Sequence, residues 1–142
     1  MCGIFGIITN QNNISVGKIV FEGIKRLEYR GYDSCGIVAQ NNSSLIVKKD
    51  SGKIEDIQKK IDLSAFPNGS KIALAHTRWA THGPPTKQNS HPHLDCTEKI
   101  AVVHNGIIDN FIELREELTL KVFDTFRGLC GSVDCPLQQL LS

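Results

Sequence analysis

The apolar positions along the chain change period several times, and each change marks an element. Residues 3–9 (GIFGIIT) form a continuous apolar run with glycines, which predicts a buried strand. Val16, Ile19, Val20, Ile24 and Leu27 then recur at helical spacing, so an amphipathic helix is expected to end before Gly31. Residues 35–39 and 45–49 are short β-rich runs with Asn41, Asn42 and Ser43 between them as a hairpin turn. Ser51, Ile54, Ile57 and Ile61 predict a short helix capped by Ser51. Phe66-Pro67-Asn68-Gly69 reads as a loop. Residues 71–76 (KIALAH) and 100–104 (IAVVH) predict two more strands, the second of them buried. Between these, residues 81–95 hold three prolines, a glycine and three histidines, an irregular stretch of a length that is uncommon and often functional. A helix from about Asp109 to Leu118 follows.

The order is β-α-β-β-α, then strand, loop, strand, helix. Hairpins mixed with helices favour a layered α+β fold over a doubly wound parallel sheet. There is no internal repeat, linker or sign of a second domain.

Composition narrows the class. The 142 residues suffice for one domain with a core, and 40% apolar with 22% charged residues is ordinary for a soluble globular protein. A net charge of +1 gives no electrostatic reason to expect nucleic acid or an acidic membrane as partner. No apolar run approaches the roughly 20 residues of a spanning helix, and the start lacks a secretory pattern. A cytoplasmic protein is expected. The cysteines (Cys2, Cys35, Cys96, Cys130 and Cys135) are odd in number and irregularly spaced, unlike a disulfide framework. Cys35 reads as a small buried hydrophobe in a strand.

Four groups of residues carry candidate chemistry. Cys2 lies directly ahead of the first strand, and cysteine is small enough for Met1 to be cut off. That leaves a thiol and a free α-amine on one residue. Such an amine titrates at roughly 7.7–8.0 and can serve as general base for its own side chain. The alternative is an incidental cysteine without a supporting environment. His104-Asn105-Gly106 joins a strand end to a turn, where an Asn side chain and a Gly N–H can point at one oxygen, as an oxyanion hole requires. It reads equally as a plain Asn-Gly turn at positive φ. In residues 76–83 (HTRWATHG) an Arg at a strand end suits bidentate capture of a carboxylate, with Thr81 and His82 as further donors. The plain reading is a surface Arg beside a half-buried Trp. Residues 30–34 (RGYDS) read as a structural turn with an Arg–Asp pair. A metal reading competes, with His91, His93, Cys96 and His104 as zinc ligands, but the spacing fits no structural zinc pattern and His-X-His in a loop reads as polar filler. Neither metal nor cofactor is expected.

Together and in this order, MCGIFG, RLEYRGYDS, KIALAHTRWATHG, NSHPH and VVHNGIIDNFIELREEL resemble the glutaminase domain of the glutamine–fructose-6-phosphate aminotransferases, also called glucosamine-6-phosphate synthases. The likeness covers residues 1 to about 118. It implies an N-terminal-nucleophile hydrolase fold, a four-layer αββα sandwich with two antiparallel sheets between helices. It implies that Cys2 attacks the side-chain amide of glutamine, that Asn105 and Gly106 stabilise the oxyanion, and that Arg78 holds the α-carboxylate with Thr81 and His82. Trp79 lies where the family gates ammonia, and Arg30 and Gly31 orient the nucleophile. The ammonia then serves glucosamine 6-phosphate synthesis from fructose 6-phosphate.

The likeness fails after about residue 120, where the chain reads KVFDTFRGLCGSVDCPLQQLLS. Residues 1–120 are therefore expected to be the front part of a type 2 glutamine amidotransferase domain, and 121–142 a divergent tail. In the family an Asp beyond this point binds the glutamine α-amino group; Asp124 is the nearest candidate, in a different context. The family's sugar-isomerase domains have no counterpart here. The expectation is thus a truncated sandwich with exposed apolar sheet faces. The competing functional expectation is an inactive remnant that at most binds glutamine or a partner.

Overall fold

The computed structural model describes residues 1–80, 83–95 and 97–125, with side chains as far as residue 118. The apolar run at the start is β1 (Gly3–Ile8), and the helical pattern after it is α1 (Val16–Lys25), followed by a 3-10 turn at Glu28–Arg30. The hairpin is β2 (Ser34–Asn41) and β3 (Ser44–Ser51). Its two-residue turn puts Asn42 at φ +52, a conformation that asparagine tolerates well. Then come α2 (Ile54–Lys60), a 3-10 turn at Leu63–Ala65, and β4 (Ile72–Arg78). Two short strands, β5 (His93–Leu94) and β6 (Ala101–Val102), precede α3 (Phe111–Thr125).

The first sheet is antiparallel in the order β1-β4-β2-β3, so β4 is central, between the N-terminal strand and the hairpin. Side chains alternate across it. Cys35, Ile37, Ala39, Ala73 and Ala75 face α1 and α2 and are buried with Val16, Val20, Phe21, Ile24, Ile54 and Ile57. The small alanines of β4 let α1 pack closely on the strand. The opposite face carries Gly36, Val38, Leu74, His76 and Arg78. There the 84–93 segment and the β5–β6 pair lie over it. A groove walled by Val38, Gln40, Leu74, Lys99, Ile100 and Ala101 runs between the two sheets. The layers are therefore helix, sheet, sheet, with α3 leaving from the second sheet. This is the α+β arrangement expected, and Cys35 is the buried strand hydrophobe predicted for it.

Three local expectations are corrected. β1 is not a buried strand: it lies at the edge of the first sheet, one of its faces is open, and Ile8 is 82% exposed. Ser51 does not cap α2, because β3 runs on to include it. The orphan N–H of Ile54 is satisfied from a distance instead, by Glu28 Oε1 at 2.9 Å. Residues 100–104 are not a buried strand. Only Ala101 and Val102 pair, with β5 as their partner, and Ile100 is 58% exposed. On the first sheet Ile4, Ile8 and Ile72 are exposed, in keeping with an uncovered apolar sheet face, and Ile107 and Ile112 are exposed beyond it.

Candidate active site

Everything near Cys2 is referred to β4. In the β1–β4 register Gly3 faces Thr77, and the Gly3 N–H donates to the buried Thr77 Oγ1 at 3.1 Å. Main-chain pairing and this side-chain bond together set the first residues of β1. One residue past the end of β4, the Trp79 N–H donates to the Cys2 Sγ at 3.5 Å. The thiol, half-buried, thus sits against the Arg78–Trp79 peptide. Gly31 closes on the same peptide from the other side: a Cβ there would lie 2.7 Å from the Arg78 carbonyl carbon and 2.8 Å from Trp79 N. Any side chain at residue 31 would drive the strand end away from its neighbours.

Asp33 completes this corner. Its N–H donates to the Arg78 carbonyl at 3.1 Å, and its Oδ2 accepts from the Ala80 N–H at 2.7 Å. The expected Arg30–Asp33 pair is not among the ion pairs of the described residues. Arg30 instead lies over the Tyr29 ring, 5.7 Å from its centroid, and its Nε donates to the Tyr29 hydroxyl. Asp33 is in effect a turn-builder for the Trp79–Ala80 backbone. Arg78 Nη1 donates to the Pro84 carbonyl at 3.4 Å, which ties it to the loop. Trp79 is 42% exposed and packs on Tyr32, with ring centroids 5.4 Å apart.

The Asn105–Gly106 turn is held on the same strand by another residue. The His76 ring nitrogen Nε2 lies 3.0 Å from the His104 carbonyl oxygen. Neither Asn105 nor Gly106 takes a positive φ, so the plain left-handed Asn-Gly turn is not what forms. A Cβ on Gly106 would press on the His104 ring, 3.0 Å from its Nε2.

His91 and His93 are not polar filler. Both are buried: His91 packs on the His76 ring with centroids 4.3 Å apart, and His93 meets His91 edge-on at 4.5 Å. Burial is the main reason that all three are held well below 6.5, at about 3 for His76, 4 for His91 and 3 for His93. Among the described residues no group of three or more His, Cys, Asp or Glu side chains is arranged to hold a metal ion. Cys96 lies outside the described residues.

Sequence reading also passed over Lys49, which faces the loop side of the hairpin. Its ammonium donates to the carbonyls of Ser90 at 2.7 Å, Pro92 at 3.0 Å and Gln88 at 3.4 Å. Burial, and then the nearby Lys87, lower it to about 8. Beside it a Cβ on Gly36 would fall 2.1 Å from the His91 carbonyl oxygen, so the loop lies directly on β2. A lysine among β-strand polar positions carries no sequence signal for this role.

Of the residues singled out from sequence, Cys2, Gly31, Arg78 and Trp79 meet at the end of β4. Asn105 and Gly106 hang from the same strand through His104, and Arg30 points aside. Thr81 and His82 lie outside the described residues. Asp124 falls in the last turn of α3, and its side chain is not described.

This layered arrangement, with a cysteine at the strand start, is that of the N-terminal-nucleophile amidotransferases. The structure matches a glutamine phosphoribosylpyrophosphate amidotransferase from B. subtilis with a TM-score of 0.65 at 24% identity, covering 96% of this chain and 28% of that one. It also matches the allosteric regulatory enzyme of purine biosynthesis with a TM-score of 0.69 at 25% identity, covering 96% and 31%. In sequence the chain is 51% identical over 118 residues to glutamine–fructose-6-phosphate aminotransferase from Sulfolobus acidocaldarius, covering 83% of this chain and 20% of that protein. The enzymes of the same name from Pyrococcus horikoshii and Chlamydia pneumoniae are each 50% identical, over 90% and 84% of the chain. The chain is a homologue of the glutamine–fructose-6-phosphate aminotransferases and spans about a fifth of the length of these relatives. No protein-family model matches it.

Proposed function

We propose that this chain carries the glutaminase half-reaction of such an aminotransferase, hydrolysing the side-chain amide of glutamine to supply ammonia for glucosamine 6-phosphate synthesis. The observation that carries the reading is the Cys2 thiol held at the end of β4 by the Trp79 N–H, beside Arg78. Removal of Met1, which is 76% exposed, frees the Cys2 α-amine. That amine takes the thiol proton as sulfur attacks the amide carbon. Asn105 and Gly106 stabilise the negative oxygen that forms, and the amine returns the proton to the departing ammonia. Water then cleaves the glutamyl thioester, giving glutamate and the free thiol.

Arg78 binds the substrate α-carboxylate, with Thr81 and His82 assisting, and Trp79 covers the exit of ammonia. Gly31 acts by letting the Arg78–Trp79 peptide approach, and the Arg30 side chain, turned onto Tyr29, takes no direct part. We assign the sugar-phosphate steps to the portions of the relatives that this chain does not match. No helix among the described residues is long and apolar enough to cross a membrane, and we place the reaction in the cytoplasm.

The test is intact mass and peptide mapping after incubation with 6-diazo-5-oxo-norleucine, a glutamine-like electrophile, alongside glutamate release from glutamine. The expected result is loss of Met1, one adduct on Cys2 and glutamate formation. An unlabelled Cys2 with glutamine left intact would overturn the reading.

A further inference from the structure

We propose that His76 is a positioning residue that holds the His104–Asn105–Gly106 turn in place against β4. The proposal rests on the reading of Cys2 and Asn105–Gly106 given above, and it adds a residue to which no chemical role has been given.

His76 is 1% exposed on the face of β4 turned toward the second sheet. Its only bond among the described residues is from Nε2 to the His104 carbonyl, while its Nδ1 has no partner there. A carbonyl accepts, so Nε2 carries the proton and the neutral ring is the Nε2–H tautomer. The His104 carbonyl belongs to the peptide group that contains the Asn105 N–H. A peptide group is planar, so anchoring its oxygen fixes the plane from which Asn105 departs.

The turn has few other anchors. Its parent strand, β6, pairs over two residues, and Asn105, Gly106 and Ile107 are exposed. The His76 ring itself cannot easily swing away, because His91 packs against it and His93 meets His91 edge-on behind. The same strand sets Cys2 through Thr77 and Trp79. Spacing between the thiol and the turn is therefore measured along three consecutive residues of β4 and the one after them. A side chain that lacks a donor at the His76 position would leave the turn free to shift. Shifts of about 1 Å in such constellations cost up to about 100-fold in rate.

The experiment compares His76→Gln with His76→Asn in the full chain. Both keep an amide donor, and they differ by one methylene in reach; His76→Phe, which keeps the ring without the donor, is the third variant. Hydrogen–deuterium exchange over residues 101–108 is measured together with kcat and KM for glutamine. For His76→Asn and His76→Phe the expected result is faster exchange in this segment. A fall in kcat of about 10- to 100-fold should accompany it, with KM within about twofold of the parent, because the turn contributes in the transition state. His76→Gln should recover most of both. Unchanged exchange in His76→Asn, or a His76→Gln variant as loose as His76→Asn, overturns the proposal. Exchange that rises and recovers as expected while kcat stays constant leaves His76 as the anchor of the turn and overturns the oxyanion role of Asn105 and Gly106.

Discussion

Two stretches of this chain have almost the same sequence and different fates. Residues 71–76 read KIALAH and residues 99–104 read KIAVVH. The first lies in a seven-residue central strand, with Ala73 and Ala75 in the core and neighbours on both sides. The second keeps two paired residues and leaves Ile100 exposed. By β propensity the second should be the better strand, since it has two adjacent valines. What differs is company. Residues 71–76 lie between β1 and the hairpin, beneath α1. Among the described residues, 99–104 pair as a strand with the two residues of β5 alone. The region around the second stretch is held by polar side chains instead: the Lys49 ammonium on three loop carbonyls, and the imidazole stack under His104. Non-directional burial stabilises the first sheet, and specific polar contacts hold the second in place over it.

If that contrast is right, substitutions should sort by layer. Ile37→Ala, on the core face of β2, should cost about 2–5 kcal/mol by leaving a cavity beneath α1. The shift of the urea midpoint at constant slope measures it. Acid comes next. The three histidines titrate at about 3 to 4 in the folded chain against 6.5 when unfolded, so the unfolded chain takes up protons first as pH falls. The contribution is fully present above about 6.5 and is lost on the way down to about 4 for His91 and about 3 for His76 and His93, on the order of 3 kcal/mol for one histidine displaced this far. Urea midpoints taken from pH 7 to 4 should fall accordingly, with exchange in residues 84–104 rising before that in β4. A midpoint flat across this range would mean that the stack opens to water without cost.

Lys49→Met keeps the aliphatic stem but removes the donor from the Ser90 and Pro92 carbonyls. It should cost about 1–3 kcal/mol and loosen the 84–92 segment in exchange measurements. Ile100→Ala should change stability by no more than about 0.5 kcal/mol, although the same substitution in the core is severe. A cost above about 2 kcal/mol at Ile100 would sink the comparison, because it would show residues 99–104 to be packed like residues 71–76.

The element order and the likeness to the glutamine–fructose-6-phosphate aminotransferases could be read from the residues alone. These follow from periodicity and from local motifs, which need no knowledge of distant partners. Cys2, Arg78 and the Asn105–Gly106 pair were singled out from local strand-end and turn motifs, and the fold places the first two together at the end of β4. The tertiary structure alone decided which apolar run became a full strand, since a strand is stable only with neighbours to receive its N–H and C=O groups. It also decided that Glu28 rather than Ser51 caps α2, that Asp33 serves the Trp79–Ala80 backbone rather than Arg30, and that His76 and Lys49 face inward. Each of those is a contact between residues 26 to 47 positions apart in the chain, and hydrophobic patterning holds no record of which polar atom lies across such a gap.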